Sequence, residues 1–278
     1  MTIDKCYAKI NVLLKITGKS NDYHEILSRF VKIDNLYDDF IIIEKKQAKF
    51  LEHKSCKNLD ISQLFSLKTA ENTIFKEDCI LDYFIKIDDN IISNFYSNNH
   101  IFYKVFNNFN PKFIKEFLDK YAIVLYKRIP TFAGLASASS NAATLIKHLC
   151  LLSNEDKDKI AAKSGADVSF FINEFASANV YGYGQIIKEF KEEKLDVNLH
   201  FSTPCSTKEV FNHFAKNPIY YKNTDDLDLK TSKELLLNDN YFLNDLLFSC
   251  TQLYPKAKEF AEKKYFLSGS GGMFFSIK

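Results

Sequence analysis

The chain has 278 residues, of which 46% are hydrophobic and 26% charged, a composition typical of a soluble globular protein and not of a disordered one. Its 37 basic and 35 acidic residues leave a net charge of +2, and because the two signs are interspersed, charge gives no reason to expect nucleic acid as a partner. No segment approaches the roughly 18 apolar residues needed to span a bilayer, so no membrane partner is expected.

The elements of the first half follow from hydrophobic periodicity. Alternating apolar residues, and one continuous apolar run, predict strands at residues 10–16, 23–33, 40–43 and 121–126. Apolar residues at helical spacing predict a helix from Asn72 to Phe84. The Asn- and Phe-rich stretch 85–120 is predicted to hold one or two helices, including one over 111–119 that begins with proline. The start of the chain therefore reads as a small antiparallel sheet and not as a signal peptide.

In the second half, a polar run from Ser153 to Asp156 precedes a predicted helix that ends near Ser164, with Gly165 as its stop. Further strands are predicted near 178–181 and 199–202, and further helices near 208–215, 243–252 and 255–263. This pattern favours an α+β protein of two domains, residues 1–152 and 153–278, with no internal repeat.

The six cysteines show no C-x-x-C spacing and no histidine at ligand spacing. This argues against a zinc site and for reduced thiols, and hence for a cytoplasmic protein.

The stretch from Lys127 to Leu149 indicates a phosphate-binding turn, because a basic strand end runs through small residues into an amphipathic helix. The first turn of a helix offers unpaired N–H groups and a positive dipole end to an anion. An ordinary turn that caps a packed helix would have the same residue types. A Walker A loop is excluded because Leu13 stands where its first glycine belongs, and the glycine pairs elsewhere do not complete a dinucleotide-binding pattern.

Four further clusters accompany this loop in a fixed order along the chain. They are Ala8-Lys9-Ile10-Asn11, Asp22-Tyr23-His24-Glu25, Gly165-Ala166-Asp167-Val168-Ser169-Phe170-Phe171, and Asn244-Asp245-Leu246 with Ser268-Gly269-Ser270-Gly271-Gly272. The ordered set resembles the GHMP kinase superfamily and, within it, the kinases that phosphorylate a cytidine-diphosphate-linked polyol in non-mevalonate isoprenoid synthesis.

The resemblance implies a two-domain GHMP kinase fold, with an N-terminal domain like domain 2 of ribosomal protein S5 and a ferredoxin-like C-terminal domain. It implies ATP as co-substrate, Mg²⁺ as cofactor, and a small-molecule substrate. As to assembly, a monomer or a weak homodimer is expected.

The resemblance also implies roles for individual residues. Asp167 would be the catalytic base, and Lys9 would keep it ionised and stabilise the transferring phosphoryl group. The substrate would contact Asn11, Tyr23, His24, Thr207 and Phe211. ATP would contact Pro130, Ala133, Gly134, Leu135, Ala136, Ser137, Ala138, Ser139, Ser140 and Asn141, with Ser139 and Ser140 as candidates near the metal.

Several positions depart from the family pattern. Ala136-Ser137-Ala138 replaces three usual glycines, and since a left-handed alanine costs about 1 kcal/mol, negative φ is predicted at all three. Ser169, Gln185 and Asp22 replace a usual Pro, Glu and Gly, and the stretch 85–120 is longer than expected. Two alternatives remain. The first is a GHMP kinase for another small alcohol, and the pair Tyr23-His24 argues against it. The second is a noncatalytic RNA-binding module, which would need a basic surface with exposed aromatic side chains.

Overall fold

The computed structural model describes residues 3–20, 23–44, 83–87, 90–91, 101–219 and 225–278. The strands are β1 (Ile3–Ser20), β2 (Tyr23–Glu44), β3 (Tyr83–Ile87), β4 (Asn90–Ile91), β5 (Tyr121–Lys127), β6 (Ser177–Gly182), β7 (Ile186–Glu189), β8 (Val197–Phe201), β9 (Phe266–Leu267) and β10 (Met273–Ile277).

The helices are α1 (Ile101–Phe106), α2 (Pro111–Lys120), α3 (Ser137–Ser153), α4 (Lys157–Ser164), α5 (Val168–Ile172), α6 (Thr207–Lys216), α7 (Ser232–Leu235), α8 (Asn240–Leu243), α9 (Leu247–Leu253) and α10 (Pro255–Glu262). Among the helices of this part of the chain, none has both the length and the apolar character to cross a membrane.

The chain divides into two compact units. Unit 1 comprises Met1–Tyr7, Asn35–Ile129 and Ser137–Val168, and unit 2 comprises Ala8–Asp34, Pro130–Ala136 and Ser169–Lys278. These units differ from the consecutive segments 1–152 and 153–278 predicted above. The reason is that the two long strands β1 and β2 each contribute residues to both units, so no single cut along the sequence separates them.

In unit 1, β5 is the central strand. It pairs antiparallel with Asp39–Glu44 of β2 and parallel with β3, which in turn pairs with β4. Helices α1, α3 and α4 pack on one another. Phe40 of β2 contacts Phe102 of α1 edge to face, with ring centroids 6.2 Å apart. Both rings are fully buried and contribute to the apolar core of this unit.

In unit 2, Ile26–Val31 of β2 pairs antiparallel with β6, and β6 with β7. A second, three-stranded sheet has the order β8-β10-β9. An apolar core of twelve buried residues joins β1, the helices and this second sheet; its members are Leu14, Ile16, Cys205, Val210, Phe214, Leu246, Leu247, Cys250, Ala257, Ala261, Leu267 and Phe274.

A buried ion pair lies beside this core. Lys15 of β1 donates to the Asp245 carboxylate and, at 2.7 Å, to the carbonyl of Phe242, while the N–H of Ile16 donates to Asp245 at 2.7 Å. Burial lowers the pKa of Lys15 and raises the pKa of Asp245, and the attraction between the two charges opposes both shifts. The pair therefore fixes the segment after α8 to β1 through groups that are costly to leave without a partner.

Most predicted elements are confirmed. The predicted strands at 23–33 and 40–43 are one continuous strand, β2, and the described part of 85–120 holds two helices, of which α2 begins at Pro111. Helix α4 ends at Ser164 with Gly165 as its cap.

Two predicted helices need correction. The helix predicted from Asn72 to Phe84 is wrong at its end, because Tyr83 and Phe84 belong to β3, and its remainder lies outside the described residues. The helix predicted over 243–252 is interrupted: Asn244 is extended, and its side-chain oxygen accepts a hydrogen bond from the N–H of Leu246 at 2.9 Å, just before α9 begins at Leu247.

The buried ion pair gives a first test. We expect Lys15→Met and Asp245→Leu each to lower the free energy of unfolding by about 3–5 kcal/mol, because each leaves an uncompensated buried charge. The double variant should lose clearly less than the sum of the two, as measured by urea unfolding. The same cycle at the exposed Lys233–Glu193 pair is the control and should show a smaller coupling, since water screens it. Additive losses at Lys15 and Asp245 would contradict this account.

Candidate functional site

The predicted phosphate loop is held by a second, glycine-rich turn within unit 2. The N–H of Met273 donates to the carbonyl of Ala133 at 3.0 Å, and Ser268 Oγ donates to the carbonyl of Gly134 at 3.1 Å. A Cβ added to Gly134 would lie 2.3 Å from the Ser268 carbonyl oxygen, and one added to Gly272 would lie 2.3 Å from that of Phe132. Two backbones thus approach at a distance that only glycine permits.

The same loop is joined to β1. The N–H of Lys9 donates to the carbonyl of Leu135 at 3.1 Å, and the N–H of Asn11 donates to Ser268 Oγ at 3.2 Å. Of the predicted contacts, Ala133 and Leu135 are buried, and Pro130 is half-buried. The structure therefore brings Lys9, Asn11 and the first half of the predicted ATP loop together in unit 2.

Lys9 is buried at 3% exposure. Its Nζ donates to Asn11 Oδ1 at 2.5 Å and lies 4.2 Å from the centre of the Phe30 ring. The neutral amide of Asn11 orients the ammonium group through this hydrogen bond. A cation held near an aromatic face in a desolvated place is suited to stabilise charge that develops on a substrate.

The second half of the predicted loop forms the start of α3 in unit 1. Ser137 is the first helical residue, and its Oγ donates to Asp38 Oδ2 at 2.8 Å. Lys127 contacts both Asp38 and Ser137, and Asn141 Nδ2 donates to Asp38 at 3.3 Å. The buried carboxylate of Asp38 thus fixes the first turn of α3, and the hydroxyl of Ser137 is already used in this network.

Sequence reasoning missed Asp38, because its sequence context is that of any aspartate in a strand. The backbone N–H groups of Arg128 and Ile129 also donate to it, at 2.8 and 2.9 Å. The basic strand end that first suggested phosphate binding is therefore paired at Lys127 with a carboxylate. Asn141 Oδ1 is buried and accepts no hydrogen bond within the described part of the chain.

The remaining predicted loop residues follow in α3. Ala138 is exposed, Ser139 is half-buried and Ser140 is buried. The side chain of Ser140 has an exposure of only 3%, so Ser139 is the more accessible of the two candidate residues near a metal. Within the described residues, no group of three or more His, Cys, Asp or Glu side chains is placed to hold a metal ion.

The prediction of negative φ at Ala136, Ser137 and Ala138 is wrong at Ala136, whose φ is +57°. Ser137 and Ala138 are helical. Ala136 is the last residue before α3, and a left-handed residue there turns the loop into the helix. The usual glycine would adopt this conformation without strain.

His24 and Phe211 also come together in unit 2. Their ring centroids are 5.6 Å apart with an interplanar angle of 27°, and Phe214 meets His24 edge-on at 5.8 Å. Thr207 is the first residue of α6, and its Oγ1 is hydrogen-bonded to Ser270 Oγ at 2.8 Å. Of Tyr23 only the backbone, at the start of β2, is described.

Asp167 lies in unit 1, in the turn that connects α4 to α5. The N–H of Val168 donates to the carbonyl of Gly165 at 3.2 Å, which closes this turn and fixes the backbone of Asp167 at the start of the short helix. The Asp167 side chain is half-buried.

Comparison with known proteins identifies relatives over the whole chain. Residues 100–174 match the family model described as GHMP kinases N terminal domain. The chain is 34% identical to the 4-diphosphocytidyl-2-C-methyl-D-erythritol kinase of Sulfurimonas denitrificans, over 100% of this chain and 97% of that protein. It is 33% identical to the protein of the same name from Helicobacter pylori, over 98% of this chain and 93% of the relative.

Solved structures agree on the fold. The crystal structure of a 4-(cytidine 5'-diphospho)-2C-methyl-D-erythritol kinase matches with a TM-score of 0.67 at 19% identity, over 99% of this chain and 90% of that one. A mevalonate kinase matches with a TM-score of 0.51 at 17% identity, over 100% and 91% of the two chains. These matches show the GHMP kinase fold, with mixed α and β content.

The strained alanine gives a second test. We expect Ala136→Gly to raise the free energy of unfolding by about 1 kcal/mol, because glycine relieves the left-handed conformation. Ala138→Gly is the matched control, and since Ala138 is helical it should lower stability by about 0.5–1 kcal/mol. Both are measured by urea unfolding, and equal effects of the same sign at the two positions would show that the φ of Ala136 is not the cause.

Proposed function

This chain belongs to the family of 4-diphosphocytidyl-2-C-methyl-D-erythritol kinases, and on that basis we propose that it transfers the γ-phosphoryl group of ATP to the 2-hydroxyl of 4-diphosphocytidyl-2-C-methyl-D-erythritol. The observation that carries the proposal is the 34% identity to a kinase of that name over the whole length of this chain. The products are the 2-phosphate of this substrate and ADP. The reaction would be a step in non-mevalonate isoprenoid precursor synthesis.

In the proposed reaction, the substrate oxygen forms a bond to the γ-phosphorus while the bond to the β–γ bridging oxygen breaks, and ADP leaves. Asp167 accepts the proton of the attacking hydroxyl. Phosphoryl transfer has a loose transition state, so positioning and electrostatic stabilisation contribute more than the strength of the base. A half-buried carboxylate on a closed turn supports this assignment, because its backbone is fixed while its side chain is accessible.

Lys9 stabilises the negative charge on the transferring group. The support for this role is its environment: a buried ammonium oriented by a neutral amide and an aromatic face. A charge that is already desolvated and oriented needs no reorganisation during the reaction, which is how preorganised groups accelerate it.

The ATP phosphates are proposed to bind the loop 130–136 and the first turn of α3. The support is that the side chains of Ala136 and Ala138 are small, and that the N–H groups at the start of a long helix favour an anion. Mg²⁺ bound with the nucleotide would supply positive charge that offsets the charge of the phosphates. The hydroxyl of Ser139 fits this ion, which takes oxygen ligands and keeps several waters.

The cytosine base is proposed to bind near Tyr23, His24 and Phe211, with Asn11 and Thr207 as further substrate contacts. The stacked pair of His24 and Phe211 supports an aromatic environment for a planar base, and the histidine can hydrogen-bond its edge.

We further propose the fold type of each domain and the cellular location of the protein. The three-stranded sheet β8-β10-β9 with α6, α9 and α10 supports a ferredoxin-like C-terminal domain, beside an S5-like N-terminal domain. The cysteines of the described residues are free thiols, which supports a reducing, cytoplasmic environment. A monomer or weak homodimer remains our expectation for the assembly.

The base assignment predicts the effect of removing one charge. We expect Asp167→Asn to lower kcat by about 10²–10⁴-fold, with the KM for ATP nearly unchanged and the Tm preserved, because Asp167 is half-buried. Asp158→Asn, the same substitution at an exposed helical position of unit 1, is the control and should leave turnover unchanged. Near-normal turnover by Asp167→Asn would remove Asp167 from this role.

Substrate choice is tested by following ADP release with ATP, Mg²⁺ and four alcohols: the cytidine-linked methylerythritol, the same alcohol without its cytidine diphosphate, homoserine and mevalonate. We expect turnover only with the first, and a raised KM for it in His24→Ala without a change in the KM for ATP. Turnover with a different alcohol would keep the fold family and reject this substrate, and turnover with none would favour a noncatalytic role.

A further inference from the structure

Two adjacent strands place four side chains of unit 2 in one buried group. Lys9 and Asn11 lie two residues apart on β1, and Ser28 and Phe30 two residues apart on β2, so each pair shares a face of its strand. Ser28 has an exposure of 0%, and Lys9 and Asn11 have exposures of 3% each. No role in catalysis or binding has so far been given to Ser28.

The direction of each hydrogen bond in this group follows from chemistry. The carbonyl of Leu13 can only accept, so the Ser28 hydroxyl donates its single proton there. Ser28 Oγ can then only accept from Asn11, whose Nδ2 lies 2.9 Å away. The Asn11 amide must therefore point its NH₂ group at Ser28 and its oxygen at Lys9, whose Nζ is 2.5 Å from Oδ1.

We propose that Ser28 is a positioning residue for phosphoryl transfer, which acts by fixing the orientation of the Asn11 amide and, through it, the ammonium group of Lys9. The inference rests on the proposed function of Lys9. The proton of Ser28 is committed to the Leu13 carbonyl. An inverted Asn11 amide would therefore point its NH₂ group at the ammonium group of Lys9, which can only donate. Its oxygen would point at Ser28 Oγ, which has no proton left to donate. The relay thus selects one of two otherwise similar amide orientations.

Loss of the hydroxyl removes this selection. In Ser28→Ala, the NH₂ group of Asn11 loses the Ser28 oxygen as its acceptor, and the amide that accepts from Lys9 is no longer held in one orientation, although Phe30 still flanks Lys9. A cation displaced by about 1 Å from a reacting group can cost a factor of about 10² in rate. The effect should therefore fall on the chemical step, since no atom of Ser28 is exposed to a ligand.

Steady-state kinetics of the full chain test this. We expect Ser28→Ala to lower kcat by about 10- to 100-fold, with the KM for ATP changed by less than about threefold. Ser28→Thr keeps the hydroxyl and suits a strand, and we expect it to restore kcat to within about threefold of the unsubstituted chain. Ser177→Ala deletes another buried strand hydroxyl of unit 2, one bonded to Glu192, and should leave kcat unchanged.

A double-mutant cycle separates positioning from general destabilisation. If Ser28 acts through Asn11, then Ser28→Ala in an Asn11→Ala background should change kcat by less than about twofold. A merely structural role would make the two losses multiply, and that result would overturn the proposal. So would a normal kcat for Ser28→Ala measured well below its Tm, or failure of Ser28→Thr to restore it while folded.

Nuclear magnetic resonance of the side-chain amide of Asn11, assigned with Asn11→Asp, tests the orientation without any substrate. We expect its protons to exchange slowly with solvent in the unsubstituted chain and in Ser28→Thr, and faster in Ser28→Ala. Unchanged exchange in Ser28→Ala would overturn the relay even if the chain is an active kinase. A different outcome is slow exchange of the Asn11 amide protons together with no turnover of any alcohol by the unsubstituted chain. That outcome would reject the proposed function and the catalytic part of the inference, but the amide orientation would remain supported.

Discussion

The close contact of two backbone segments in unit 2 determines where the candidate site residues lie. The loop around Gly134 and the turn around Gly272 approach each other more closely than any side chain would allow. Ser268 accepts from the N–H of Asn11 and donates to the carbonyl of Gly134, so the same turn also fixes β1. The N–H of Lys9 donates to the carbonyl of Leu135 in the same loop, so backbone hydrogen bonds and the hydroxyl of Ser268 together position Lys9 beside the loop.

Local patterns were sufficient to predict much of the fold. Proline at Pro111 and glycine at Gly165 mark a helix start and a helix end because each acts on its own backbone. The alternation along β1 likewise predicts a strand without knowledge of its neighbour. The membership of the chain in a kinase family followed from several such local motifs taken in order, which is more specific than any one of them.

The features that sequence reasoning missed depend on partners far away in the chain. Lys127 resembles a phosphate ligand until Asp38, 89 residues earlier, is found beside it. The break after α8 at Asn244 depends on contacts of its amide with the backbone of Leu267 and Gly269. The part played by Ser28 depends on the donors and acceptors of a neighbouring strand, and a serine in an alternating apolar strand gives no local signal of it.

The glycine contacts also determine which of these positions can carry a side chain. At Ala136 a side chain is present although the left-handed backbone costs about 1 kcal/mol. At Gly134 and Gly272 a side chain would instead meet a carbonyl oxygen of another segment. A substitution at Gly134 or Gly272 would therefore have to push two backbone segments of unit 2 apart, whereas one at Ala136 acts on a single φ angle.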